Sequence, residues 1–245
     1  MIEHQVDIAT ADGQMSTFVC HPERGGPYPV ILFFMDAPGI REELRDMARR
    51  LATVGYYVML PNLYYRSGVN ELGDFIGEGA VAVREKMFSL MGTLTIPMVM
   101  SDADALVAYA DNDVAVSQGK IGAVGYCMSG QYAISAAARY PDRVGSAASI
   151  YGVRLLTDTL DSPHLAARKA KGEIYVAWAE TDHYAPLDEL EPMRQSMVEG
   201  GVKAEVELYK GVEHGFAFPQ RPAYDRPAAE RHWERLFDLF GRTLR

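Results

Sequence analysis

The sequence predicts an α/β fold: a mostly parallel central sheet, helices on both of its faces, and an antiparallel hairpin at the N-terminal end. Three observations carry this expectation. Short continuous apolar runs, such as residues 30–35, have the character of strands buried on both sides. Between them lie stretches with apolar residues at helical spacing, as in Leu44, Met47, Ala48 and Leu51. The two patterns alternate along the chain, which implies parallel pairing with crossover helices covering the sheet.

The elements follow in order. Residues 2–8 and 14–20 alternate apolar and polar around Asp12-Gly13, the signature of an opening hairpin. Residues 29–35 form the first buried strand, and the helix after Pro38-Gly39 ends at Gly55, a fitting C-terminal cap. Residues 56–60 are a second buried strand, closed by Pro61. The stretch 64–100, with its glycines, Pro97 and methionines, reads as an irregular, partly helical excursion over one face of the sheet. A helix is expected over 102–110, then strands at 120–124, 144–150 and 173–178. A helix over 186–198 and a strand over 202–208 precede a last helix, which carries Trp233, Leu236, Phe237, Phe240 and Leu244 on one stripe.

A chain of 245 residues without repeat, linker or low-complexity tract is expected to form one domain over 1–245. The net charge of −9, with both signs interspersed, excludes the basic face that nucleic acid or an anionic membrane requires. The first residues, Met1-Ile2-Glu3-His4-Gln5, lack a basic segment and an apolar segment, so no secretory leader is expected. Two cysteines outside any metal-type spacing argue against a disulfide framework and a zinc site and fit a reducing cytoplasm. No metal and no organic cofactor are expected, and the partner is expected to be a small molecule.

Chemistry concentrates at Gly125-Tyr126-Cys127-Met128-Ser129-Gly130. An apolar run precedes these residues and an alanine-rich segment follows, so Cys127 sits at the apex of a strand-to-helix turn. Small residues on either side allow the close backbone approach that such a turn needs. A helix starting just after the cysteine favours its thiolate. The amide of Met128, with that of Ala37 in the loop after the first buried strand, is placed to receive an oxyanion. Cys20 lies mid-strand and reads as core. Downstream, Asp182 follows a buried strand and His214 follows the last one, which gives the order nucleophile, acid, histidine. Glu180 competes with Asp182 in the same loop, and His183 competes with His214.

The sequence resembles the dienelactone hydrolases, or carboxymethylenebutenolidases, of the α/β-hydrolase fold. The resemblance covers nearly the whole chain. It rests on Gly-Tyr-Cys127 with its Ser129-Gly130 tail, on Thr-Asp182-His-Tyr-Ala-Pro, and on Glu-His214-Gly-Phe. It implies a Cys127, Asp182, His214 triad that opens an ester or lactone through a thioester. The family also carries an acid beside the thiol that holds the resting cysteine neutral, and Asp36 stands at that position, one methylene shorter than the usual glutamate. The arginine expected four residues beyond the histidine is replaced by Phe218. Arg221, Arg84 and Lys86 are the other candidates for a substrate anchor, and Tyr64, Tyr65, Tyr126, Tyr151 and Phe218 are candidates for a pocket lining.

Two rival readings have separate signals. An amidotransferase-like enzyme would carry glutamate two residues after the histidine, where this chain has Phe216. A non-catalytic binding module would not need the three groups together. A broader carboxylesterase or thioesterase of the same fold remains an alternative to the lactone hydrolase.

Overall fold

The computed structural model describes residues 1–73, 75 and 79–244. Asp74 and residues 76–78, part of the expected excursion, and Arg245 lie outside the described residues. One eight-stranded sheet has the order β1-β2-β4-β3-β5-β6-β7-β8. Its strands are β1 (Ile2–Thr10), β2 (Gly13–His21), β3 (Val30–Phe34), β4 (Tyr57–Pro61), β5 (Ile121–Tyr126), β6 (Val144–Ile150), β7 (Glu173–Thr181) and β8 (Ala204–Glu213). The hairpin β1–β2 is antiparallel, as is β2 on β4. The pairs from β4 through β3, β5, β6 and β7 to β8 are all parallel. This is the mostly parallel sheet expected from the alternation of patterns, in the α/β-hydrolase arrangement that the resemblance implies.

Helices cover both faces. They are α1 (Glu42–Thr53), α2 (Ala80–Thr93), α3 (Ile96–Asp111), α4 (Gly130–Arg139), α5 (Pro163–Ala166), α6 (Leu190–Glu199) and α7 (Arg226–Thr243). Arg50 of α1 pairs with Glu230 of α7 and lies over the Trp233 ring, so these two helices share one face. The row α3, α4, α5, α6 packs against the other. Strand β5 shows the two-residue alternation that sorts side chains between faces. A methyl on Gly122 would meet Phe240 of α7, whereas one on Gly125 would meet the backbone at the start of α4.

Two boundaries differ from expectation for local reasons. Helix α3 starts at Ile96 rather than 102, because Thr95 caps it through the amide of Met98 and Pro97 sits in its first turn. Proline there marks a start, not an interruption. Strand β8 runs on to Glu213 past an irregularity opposite β7, where Glu180 accepts the Gly211 amide at 2.7 Å and Gly211 adopts φ +73°. Helices α2 and α3 meet at 82°, and no single helix is long and apolar enough to cross a membrane among the described residues.

Candidate active site

Strand β5 delivers Cys127 into a 3₁₀ turn, Cys127–Ser129, that runs straight into α4. Cys127 takes φ +54°, a left-handed conformation that is costly for a side chain other than glycine. The turn is tight enough to forbid a Cβ at Gly125, which would stand 2.0 Å from the Ser129 carbonyl oxygen. Ser129 is buried, and its hydroxyl donates to the Met35 carbonyl at the end of β3, so the serine in place of a second glycine anchors the turn to the neighbouring loop. The Met128 amide lies in the first turn of this helical segment, where backbone donors have no intrahelical acceptor.

The loop after β3 brings up Ala37. Tyr64 ties it to the turn: its hydroxyl donates to the Ala37 carbonyl at 2.7 Å and lies 3.5 Å from the Met128 sulfur. Burial and the nearby Asp36 charge push the Tyr64 pKa up, so the phenol stays a neutral donor. Tyr64 was expected only as pocket lining; its bridging role depends on two loops that sequence spacing cannot bring together.

Strands β7 and β8 bring Asp182 and His214 together. His214 Nδ1 and Asp182 Oδ2 are 2.6 Å apart, and the carboxylate is fully buried. The other oxygen, Oδ1, accepts the amides of Tyr184 at 2.8 Å and Ala185 at 3.1 Å. Burial pulls the His214 pKa down, but hydrogen bonds with Asp182 and with the Cys127 thiol, and the charges of both, outweigh it and push the pKa to about 9. The imidazole stands between Tyr151, with ring centroids 4.9 Å apart, and Tyr184, at 5.0 Å. Of the two rivals, Glu180 accepts the Gly211 amide and His183 is exposed.

Five candidate residues meet a different arrangement. Asp36 turns its oxygens to guanidinium groups, with Arg41 at 2.6 and 3.1 Å and Arg221 at 2.8 Å, because a buried carboxylate takes the strongest donors in reach. Among the described residues its side-chain hydrogen bonds go to arginine rather than to Cys127. Arg221, a candidate anchor, is thus committed to Asp36. Tyr126 does not line a pocket: it points to the α7 face, where its hydroxyl bonds His232 Nε2 at 3.1 Å. Phe218 is likewise enclosed, under Arg41 and Arg221 and against Tyr126 and Tyr151. Arg84 is exposed on α2 and donates to the Phe75 carbonyl at 3.3 Å.

Arg41 was missed. It also binds Glu43 and the Gly39 carbonyl. Burial would lower its pKa, and the Asp36 and Glu43 charges more than reverse that. Five residues after Asp36 and two before Glu43, it sits in an ordinary-looking charged segment, and nothing in the sequence distinguishes it from the surface arginines of α1.

The model of the dienelactone hydrolase family matches residues 15–244. The chain belongs to the dienelactone hydrolase family. A carboxymethylenebutenolidase of Pseudomonas putida is 28% identical over 98% of this chain and 97% of its own. A candidate dienelactone hydrolase from Klebsiella pneumoniae superimposes with a TM-score of 0.84 at 24% identity, over 98% of each chain. A dienelactone hydrolase-like promiscuous phosphotriesterase from metagenomic libraries does so at 0.80 and 19%, over 100% of this chain and 99% of that one. As a hydrolase of this family, the protein acts on small molecules.

Proposed function

We propose that this hydrolase cleaves a carboxylic ester or small lactone with Cys127 as nucleophile. The observation that carries the reading is a cysteine strained to φ +54° at a strand-to-helix turn, beside a histidine bonded to a buried aspartate. His214 takes the thiol proton, or already holds it as the imidazolium partner of the thiolate, and the sulfur attacks the carbonyl carbon. The amides of Met128 and Ala37 hold the resulting oxyanion. Collapse breaks the bond to the leaving oxygen, which receives the proton from His214 and departs as an alcohol, leaving a thioester. His214 then deprotonates a water that attacks this thioester, and the sulfur leaves and recovers its proton. The products are a carboxylic acid and an alcohol, joined in one molecule when the substrate is a lactone.

Asp182 fixes the Nδ1 proton and leaves Nε2 to face the thiol. Tyr64 holds the two amide-bearing loops in register. The reaction uses only side chains, backbone and water, without a cofactor. The test is Cys127→Ala: hydrolysis of an activated aryl ester should fall to background while circular dichroism and Tm stay those of the wild type. Undiminished turnover in a folded variant refutes the nucleophile.

A further inference from the structure

Tyr151 follows the last residue of β6 and adopts φ +38°. It is held there from both sides. Its amide donates to the Ala177 carbonyl at 2.8 Å, and the amide of Val153 donates to the Cys127 carbonyl at 3.1 Å. Between them, Gly152 packs so closely that a Cβ would stand 2.1 Å from Ser149 Oγ and 3.1 Å from Gly130 Cα. The strained segment is therefore fastened to the turn that carries the thiol.

The ring is enclosed by His214, Phe216, Tyr126 and Phe218. Its hydroxyl is buried and finds no partner among the described residues. Other buried tyrosines are satisfied: Tyr57 bonds Asp113, Tyr64 bonds Ala37, Tyr126 bonds His232, and Tyr175 bonds Glu207 and Tyr209. Burial raises the Tyr151 pKa well above its usual value, so the phenol keeps its proton, and the charged groups that act on it include Asp36, Arg221 and Cys127. The ring stands 4.9 Å from that of His214, centroid to centroid, which sets Tyr151 beside the imidazole of the site. A buried donor left unpaired, on a strained backbone, is a cost that folding alone does not explain.

We propose that Tyr151 is a substrate-binding residue whose hydroxyl donates a hydrogen bond to an oxygen of the acyl group, so that the enzyme selects acyl groups carrying an acceptor there. This rests on ester cleavage at Cys127. A site built to hydrogen-bond its substrate discriminates against the analogue that leaves its own polar group unpaired.

The experiment compares wild type, Tyr151→Phe and Cys127→Ala on aryl esters with one leaving group. The acyl chains carry an ether or keto oxygen at successive positions, each set against its methylene isostere. Wild type should favour at least one oxygenated chain by ~10-fold or more in kcat/KM. Tyr151→Phe should lose that preference, its kcat/KM on each oxygenated chain falling to that on the methylene isostere, and its Tm should equal or exceed that of wild type, since the unpaired hydroxyl is gone. Wild-type discrimination in Tyr151→Phe, no discrimination in wild type, or a lowered Tm with unchanged preference overturns the role of the hydroxyl while Cys127-dependent turnover leaves the nucleophile standing. Turnover that survives Cys127→Ala, or none in wild type, overturns both.

Discussion

Replacing Asp182 with asparagine asks whether the imidazole is held in one tautomer, and the structure fixes which way the amide must turn. Asp182 Oδ1 accepts two backbone amides, at 2.8 and 3.1 Å, and Oδ2 faces His214 Nδ1 at 2.6 Å. Asparagine has one oxygen. Set toward the two amides it keeps both bonds; turned toward His214 it would point an NH₂ at two N–H donors, at about 1–3 kcal/mol for each buried group left unpaired. The NH₂ therefore faces Nδ1, which must become an acceptor, and the imidazole proton moves to Nε2. An imidazole protonated there cannot take the thiol proton. Losing the correct tautomer and the counter-charge of the imidazolium costs such a triad about 3–5 kcal/mol of transition-state stabilisation. At about 1.36 kcal/mol per tenfold, kcat should fall by roughly 10²–10⁴. KM should change little, because both carboxylate oxygens are taken up by His214 and two backbone amides and none is left for substrate. The assay is the initial rate of aryl ester hydrolysis at saturating substrate, with Glu180→Gln as a companion that should stay within about threefold of wild type in kcat. A folded Asp182→Asn enzyme with kcat within about threefold of wild type refutes the reasoning.

Three further outcomes follow from the same geometry. Gly125→Ala forces a Cβ to 2.0 Å from a backbone oxygen that cannot retreat, and should lower stability by about 3 kcal/mol or more in urea unfolding; a loss below about 1 kcal/mol would show that the turn is looser than described. Iodoacetamide at neutral pH should label Cys127 alone in the native protein, since Cys20 is fully buried and desolvation pushes its pKa to about 12; mass spectrometry finding Cys20 modified before unfolding would contradict this. Tm should fall on both sides of neutrality. His214, raised from 6.5 to about 9, contributes stability that is complete below about 6.5 and lost as pH rises through 9. His232, lowered by burial to about 3, contributes stability that is present above 6.5 and lost as pH falls from there toward 3. In Asp182→Asn the alkaline fall should shrink while the acid fall stays, and an unchanged alkaline limb would remove His214 as its source.

The parallel sheet, the hairpin and the turn at Cys127 were legible because each is written in neighbouring residues. Burial on both faces demands continuous apolar runs, Asp12-Gly13 suits a two-residue reversal, and Gly125 is required by an atom only a few residues away. The late start given to α3 and the early end given to β8 also have local origins, a proline in the first turn of the one and a bulge at Gly211 that interrupts the alternation of the other.

Partner choice is a different kind of information. Asp182 rather than Glu180 meets His214 because an irregularity in β7–β8 pairing turns Glu180 to the Gly211 amide. Asp36 meets Arg41 and Arg221 rather than the thiol because a buried carboxylate goes to the nearest guanidinium, and Arg221 arrives from 185 residues away. Tyr126 and Phe218 are aromatic, near the site in sequence and closed to it in space, since strand alternation aims one at α7 and two arginines cover the other. Composition and spacing thus determined which backbone this chain builds and which chemical groups it carries to one end of the sheet. Which of those groups pair, and which stay free to act, was decided by tertiary structure, because charges and hydroxyls compete for partners over distances in space that the order of residues does not record.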